Sequence, residues 1–97
     1  MRTGQARKRD ANEKAIRKAL EAVGAVVWQI SGAGCPDLLT LRGGRWMPLE
    51  VKSAKGTLTE AQAGIPWPVV RTEDEALFAV GAVREPPVTV AGKRGRA

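Results

Sequence analysis

The stretch GCPDLLTLRGGRWMPLEVK, residues 34–52, decides the fold because it reads as a complete β-hairpin. Residues 38–41 form the first predicted strand, and residues 46–52 form the second. The glycine pair at positions 43–44 separates them, and paired glycines are typical of the tight turns that join antiparallel strands. Pro48 has no backbone N–H to donate, which predicts a position at a sheet edge or at a bulge.

The sequence on either side of this hairpin predicts an α/β domain. Apolar residues at i, i+3, i+4 and i+7 spacing indicate an amphipathic first helix, with Asp10 as its N-cap and Glu13 in capping-box position. Thr72 is expected to cap the last helix, with Glu75 in its capping box. Helices are predicted over residues 10–23, briefly over 59–62 and from Thr72 onward, and further strands are predicted over residues 25–30 and 67–71. The predicted fold is a small central mixed β-sheet flanked by helices.

Composition limits the possible functions. The chain has 97 residues, with 16 Lys and Arg against 10 Asp and Glu, for a net charge of +6. Its single cysteine excludes an internal disulfide, and the absence of histidine excludes common zinc sites and His-based triads. No apolar run is long enough to span a membrane. We expect a basic, soluble, cytoplasmic protein (in the host-cell cytoplasm if it is viral) that works through carboxylates, lysine and a hard metal ion.

Charge clusters divide the chain. A basic arm occupies residues 1–9, the folded domain is predicted over 10–83, and a Pro/Gly-rich basic tail follows over 84–97. Clustered cations at both ends favour contact with nucleic-acid phosphates, although they are also compatible with a solubilising surface. The candidate nucleic-acid-binding residues are Arg2, Arg7, Lys8, Arg9, Lys55, Lys93, Arg94 and Arg96.

Two carboxylates and one lysine form the candidate site. Asp37 opens the first hairpin strand, and Glu50 and Lys52 lie at i, i+2 on the second, so the hairpin brings Asp37 beside Glu50. Adjacent carboxylates repel each other unless a cation neutralises them. Oxygen ligands without histidine or a cysteine cluster favour Mg²⁺, with Mn²⁺ possible. Such a site suits metal-dependent phosphodiester hydrolysis, in which Lys52 holds the water or the attacked phosphate.

Each of these residues also has a simpler interpretation. Glu50 and Lys52 alone are compatible with an ion pair on a solvated strand face. Glu13 stands at the rim of the apolar helix stripe, where it can either close a capping box or reach the metal through a water molecule. Trp28, Trp46 and Trp67 are expected in the core or at an interface rather than as base-stacking surfaces.

Three motifs resemble a known family. GCPDLL (residues 34–39), EVKS (50–53) and GTLTEAQ (56–62) are similar to the PD-(D/E)XK nuclease superfamily, and more narrowly to its stand-alone, virus-type VRR-NUC domains. The resemblance extends over residues 12–82 and includes VVRTEDEAL (69–77). In that family a longer helix follows the glutamine motif, whereas residues 62–66 here leave about one turn.

The resemblance implies a restriction-endonuclease-like fold and an Mg²⁺-dependent endodeoxyribonuclease. It implies a homodimer acting on branched DNA such as Holliday junctions. Separately, the apolar, Pro-rich segment at residues 65–68 lacks the cover of a longer helix, so Trp67 is expected at or near the dimer interface. Nicked or flapped DNA is the alternative substrate, and a non-catalytic basic DNA-binding protein on the same fold is the alternative function. Carried over by position, the catalytic residues are Glu13, Asp37, Glu50, Lys52 and Gln62, and the metal ligands are Asp37, Glu50 and the carbonyl of Val51.

Overall fold

The sheet is built around the predicted hairpin. A computed structural model describes residues 12–53 and 64–87, which form a small α/β domain. Its elements, in chain order, are α1 (Glu13–Ala22), β1 (Val26–Gln29), β2 (Leu38–Arg42), β3 (Arg45–Val51), β4 (Val69–Val70) and α2 (Glu73–Ala79). The sheet order is β1-β2-β3-β4, with antiparallel β1–β2 and β2–β3 pairs and a parallel β3–β4 pair. The predicted mixed sheet is confirmed.

The hairpin turn has the backbone conformation that the glycine pair predicts. Gly43 and Gly44 both have positive φ, +58° and +78°. Positive φ at both central residues gives a turn whose twist matches that of the flanking strands. Leu38 therefore pairs with Leu49, and Arg42 with Arg45.

Pro48 lies at a local edge of the sheet, as predicted. The backbone N–H groups of Glu50 and Lys52 donate to Pro68 and Val70, so this side of β3 faces β4. The N atom of Pro48 is two residues earlier and points to the same side, but the β3–β4 pairing begins only at Glu50. The missing donor therefore removes no bond to β4.

One face of the sheet packs against both helices. Leu38, Leu49 and Val51 point to this side and are at most 3% exposed. Leu38 and Leu49 are direct cross-strand partners, and such partners point to the same side of a sheet. The helices complete the core with Ile16, Leu20, Ala76 and Val80.

The opposite side of β1, β2 and β3 is called the outer face. Strand alternation places Val26, Trp28, Leu39, Leu41, Trp46 and Pro48 on it. Trp28 is 43% exposed and Trp46 is 57% exposed, so neither residue belongs to the core. The prediction of a core position is wrong for these two tryptophans, and an interface position stays a prediction.

The start of the first helix differs from the prediction. Helix α1 begins at Glu13, with Asn12 rather than Asp10 at the N-cap position and without a side-chain capping bond. Glu13 is thus the first helical residue, so it does not occupy the third position that a capping box needs. Asp10 itself lies outside the residues that the structure describes.

The Thr72 cap of the last helix is confirmed, but Glu75 does not close the predicted capping box on the Thr72 N–H. The Thr72 hydroxyl accepts a hydrogen bond from the Glu75 N–H at 3.1 Å. The Glu75 carboxylate accepts at 2.6 Å from the N–H of Arg71, one residue before the N-cap.

No helix within residues 12–53 and 64–87 is long and apolar enough to cross a bilayer.

A matched pair of substitutions tests which sheet face forms the core. Leu49→Ala should lower the free energy of unfolding by about 2–5 kcal/mol, or unfold the domain, because it opens a cavity at a fully buried position. Leu41→Ala, on the half-buried outer face, should cost about 1 kcal/mol because less apolar surface is lost. Urea titrations would measure both, and equal losses would show that the outer face is as well packed as the core.

Candidate functional site

The three acids singled out from the sequence are the three charged side chains that the structure buries. Among residues 12–53 and 64–87, Glu13, Asp37 and Glu50 are 3%, 9% and 6% exposed, and every other charged residue is more accessible. A buried carboxylate is unfavourable unless it is hydrogen-bonded or paired with a cation. The solvated strand face considered for Glu50 is therefore excluded.

Asp37 is fixed to β3 at two points. Its backbone N–H donates to the Leu49 carbonyl at 3.0 Å. Its side-chain Oδ2 accepts from the Val51 N–H at 2.9 Å. Strand β2 begins only at Leu38, after Asp37 in the chain. The Asp37 carboxylate therefore accepts the Val51 N–H in place of a backbone carbonyl of β2.

Glu50 lies between the two β3 residues that bond Asp37. The paired register ends at Leu38 and Leu49, and Asp37 bonds the Leu49 carbonyl and the Val51 N–H on either side of Glu50. The Glu50 carboxylate accepts from the indole N–H of Trp67 at 3.1 Å. The half-buried Trp67 therefore contacts the site directly, a contact that the sequence did not predict.

Glu13 approaches the same end of the sheet from the helix side. Its Oε2 accepts from the Gln29 side-chain amide at 2.8 Å. Gln29 is the last residue of β1 and pairs with Leu38, and the next residue, Ile30, donates its N–H to the Asp37 carbonyl. Glu13 thus lies at the end of the sheet where β2 begins.

Asn12 joins the start of α1 to the ends of two strands. Its side-chain amide donates to the Lys52 carbonyl at 2.8 Å and to the Arg71 carbonyl at 2.7 Å. These two carbonyls directly follow β3 and β4. This bridge holds the first turn of α1, and hence Glu13, at the sheet end that carries Asp37 and Glu50.

Two cations lie at this end of the sheet. Lys52 directly follows β3, and its N–H donates to the Val70 carbonyl, so it continues the pairing of β3 with β4. The Arg71 guanidinium donates from Nη1 to the Ser53 carbonyl at 2.6 Å. Arg71 was not predicted from the sequence, and only its position in the VVRT segment hinted at a role.

The acids do not form one compact group. No cluster of three or more His, Cys, Asp or Glu residues suited to holding a metal is found in the parts of the chain that the structure describes. Gln29 shares the helix-covered face with Leu38, whereas Glu50 follows Leu49 and points to the outer side. The predicted metal ligands Asp37 and Glu50 therefore lie apart from Glu13, which approaches from the helix side.

The remaining predicted site residues cannot be placed. Gln62 and Lys55 lie between the two described parts of the chain. Arg2, Arg7, Lys8, Arg9, Lys93, Arg94 and Arg96 lie outside them at the two ends.

Comparison with family models, with curated proteins and with solved structures finds no match for this chain. The resemblance to nuclease domains therefore rests on the sequence motifs alone.

The Asn12 bridge is testable without reference to function. Asn12→Asp keeps a side chain that caps helices as well as asparagine but removes the two donors. We expect both Asn12→Asp and Asn12→Ala to lower the free energy of unfolding by roughly 1–3 kcal/mol, because two carbonyls lose their partner. Chemical denaturation would measure this, and an Asp variant as stable as the wild type would show that the two amide bonds contribute nothing to stability.

Proposed function

We propose that this protein is a metal-dependent DNA endonuclease that hydrolyses phosphodiester bonds. One observation carries the proposal: the only buried charges in the described residues are three carboxylates, and all three lie at one end of the sheet. The chain carries a net charge of +6, and acids buried away from water add nothing to its solubility. Solubility therefore does not explain why these three acids are present. Their position favours a site that binds a cation.

The donor set fits Mg²⁺ or Mn²⁺. Asp37 and Glu50 offer neighbouring carboxylates, and the Val51 carbonyl is the proposed third oxygen ligand. Hard cations of this kind prefer oxygen ligands and keep several waters. When bound, such an ion lowers the pKa of a coordinated water and neutralises charge on the phosphate.

The other residues of the site have separate proposed roles. Lys52 holds the attacked phosphate and stabilises the negative charge that develops during attack. Glu13, held by Gln29, orients a water molecule from the helix side. Arg71 is a further cation beside the end of β3, suited to a neighbouring phosphate.

The proposal extends to substrate and assembly. The motif resemblance supports three further parts of the proposal. These are branched DNA such as a Holliday junction as the substrate, a homodimer as the assembly, and a restriction-endonuclease-like fold. The mixed four-stranded sheet supports that fold, because it puts the acidic motif at the start of β2 and the EVK motif at the end of β3. A cytoplasmic location is part of the same proposal.

A second candidate is a non-catalytic DNA-binding protein. The observation that favours it is that each buried acid has a donor within the domain: Gln29 for Glu13, Val51 for Asp37 and Trp67 for Glu50. On this account the acids only stabilise the end of the sheet through these hydrogen bonds. A pure DNA-binding protein needs neither metal nor Lys52, so cleavage separates the two candidates.

Charge-removing substitutions test the metal ligands. Asp37→Asn and Glu50→Gln keep the shape of each side chain and should lower Mg²⁺-dependent cleavage by at least about 100-fold. DNA binding should persist or improve, because negative charge is removed from the cleft. Glu21→Gln, at an exposed position of α1, is the matched control and should cleave normally. Near-normal cleavage by either site variant, assayed on labelled junction, flap and duplex DNA, would contradict the assignment.

Lys52 has a different expected signature. Lys52→Ala should lower cleavage by about 100-fold or more, on the scale of roughly 3 kcal/mol for one electrostatic stabiliser. Mn²⁺ binding measured by calorimetry should survive, since lysine is not a ligand. Lys18→Ala, at an exposed helix position, serves as the control. Loss of metal binding together with cleavage would give Lys52 a structural role instead.

A further inference from the structure

Two tryptophans form an exposed aromatic pair on the outer face. The rings of Trp28 and Trp46 are stacked, with centroids 5.5 Å apart and an interplanar angle of 24°. They come from β1 and β3 and meet across β2. Trp28 is 43% exposed and Trp46 is 57% exposed. Because each ring uses one face for its partner, the opposite ring faces are left for a further flat group.

The pair lies on the same side of the sheet as the candidate site. Strand alternation places Trp46, Pro48 and Glu50 on one side of β3. Trp46 is four residues from Glu50, or about 13 Å at roughly 3.3 Å per residue. That span corresponds to about four stacked nucleotides at roughly 3.4 Å per step. A strand whose phosphate lies at Glu50 can therefore extend to the tryptophans.

Positive charge near Glu50, at the far end of β3 from Trp46, favours a nucleic-acid strand over an apolar partner. Lys52 belongs to the Glu50 side of β3, and Arg71 lies beside it through its bond to Ser53. Cations that contact phosphates, followed by aromatic rings that stack on bases, are the usual elements of a surface that binds single strands. A second copy of this chain, with the same cations, meets no matching negative charge there.

We propose that the Trp28–Trp46 pair stacks on an unpaired base of a DNA strand that enters the carboxylate site. The inference rests on the proposed nuclease activity and narrows its substrate to DNA with unpaired nucleotides about four steps from the cleaved bond, such as a flap, rather than the fully paired arms of a Holliday junction. Stacking is tolerant of sequence because every base has a flat face. The pair therefore selects for unpaired structure rather than for a base sequence.

Binding without cleavage tests this proposal. Fluorescence anisotropy in EDTA would compare labelled octathymidylate with an abasic octamer that has the same phosphates but no bases. Trp46→Leu, and separately Trp28→Leu, should weaken octathymidylate binding by roughly 5- to 150-fold. Binding of the abasic strand should be unchanged, and Trp46→Phe should restore most of the loss. Glu21→Gln, at an exposed position of α1 away from the outer face, is the control for general disturbance.

Three results would overturn the inference. Octathymidylate binding that Trp46→Leu and Trp28→Leu leave intact would show that no base stacks on the pair. An equal loss for the abasic strand would show that the substitutions act on phosphate contacts. A wild-type dimer that Trp46→Leu dissociates, seen by light scattering with octathymidylate affinity unchanged, would assign the face to a second copy. These binding measurements are made in EDTA and do not depend on cleavage. A protein that fails to cleave DNA in the separate Mg²⁺ assay would therefore contradict the nuclease proposal and not the stacking proposal.

Discussion

The side chain of Asn12 makes the bridge on which the site depends. Its amide donates to two carbonyls that follow β3 and β4, from residues 40 and 59 positions later in the chain. Since Asn12 also precedes the first residue of α1, the bridge fixes the helix start relative to the parallel strand pair. Glu13 then lies within hydrogen-bond distance of Gln29, at the end of the sheet that carries Asp37 and Glu50. The bridge is thus a direct polar connection between the start of α1 and the ends of β3 and β4.

Three buried acids at one end of a small sheet impose an electrostatic requirement. Each carboxylate must find donors or a cation, because burial removes most of its hydration. The structure gives each acid at least one neutral donor, from a backbone N–H, an indole and an amide. Like charges placed close together repel, so the proposed metal site at Asp37 and Glu50 is one way in which this end of the sheet could be stabilised further.

The hairpin and its register could be predicted from the sequence because their determinants are local. The glycine pair sets the turn, and alternation of apolar residues sets which side of β2 and β3 is buried. These two features bring Asp37 to the end of β3 that carries Glu50, where Asp37 bonds Leu49 and Val51. The cap of α2 at Thr72 was predictable for the same reason, since an N-cap acts within three residues.

The contacts between distant segments could not be predicted in this way. Asn12, Gln29 and Trp67 carry no motif, and each acts on a residue 16 to 59 positions away. The start of α1 was placed three residues too early because Asp10 is a good cap in isolation, whereas Asn12 takes the N-cap position and bonds the strand ends. The sequence left Trp28 and Trp46 between a core and an interface position, because hydrophobicity predicts burial but not which sheet face is covered.

The measurement that tests the central claim most directly is strand cleavage by the wild-type protein. Labelled four-way junction, flap, nicked and plain duplex DNA would each be incubated with and without Mg²⁺, and the products separated on denaturing gels. A buried carboxylate pair that works as a metal site predicts strand scission that requires Mg²⁺ and is restored by Mn²⁺ after chelation. Binding of these DNAs without scission under any metal condition would contradict the claim of a metal site. The three acids would then have only a structural role, stabilising the end of the sheet through their hydrogen bonds.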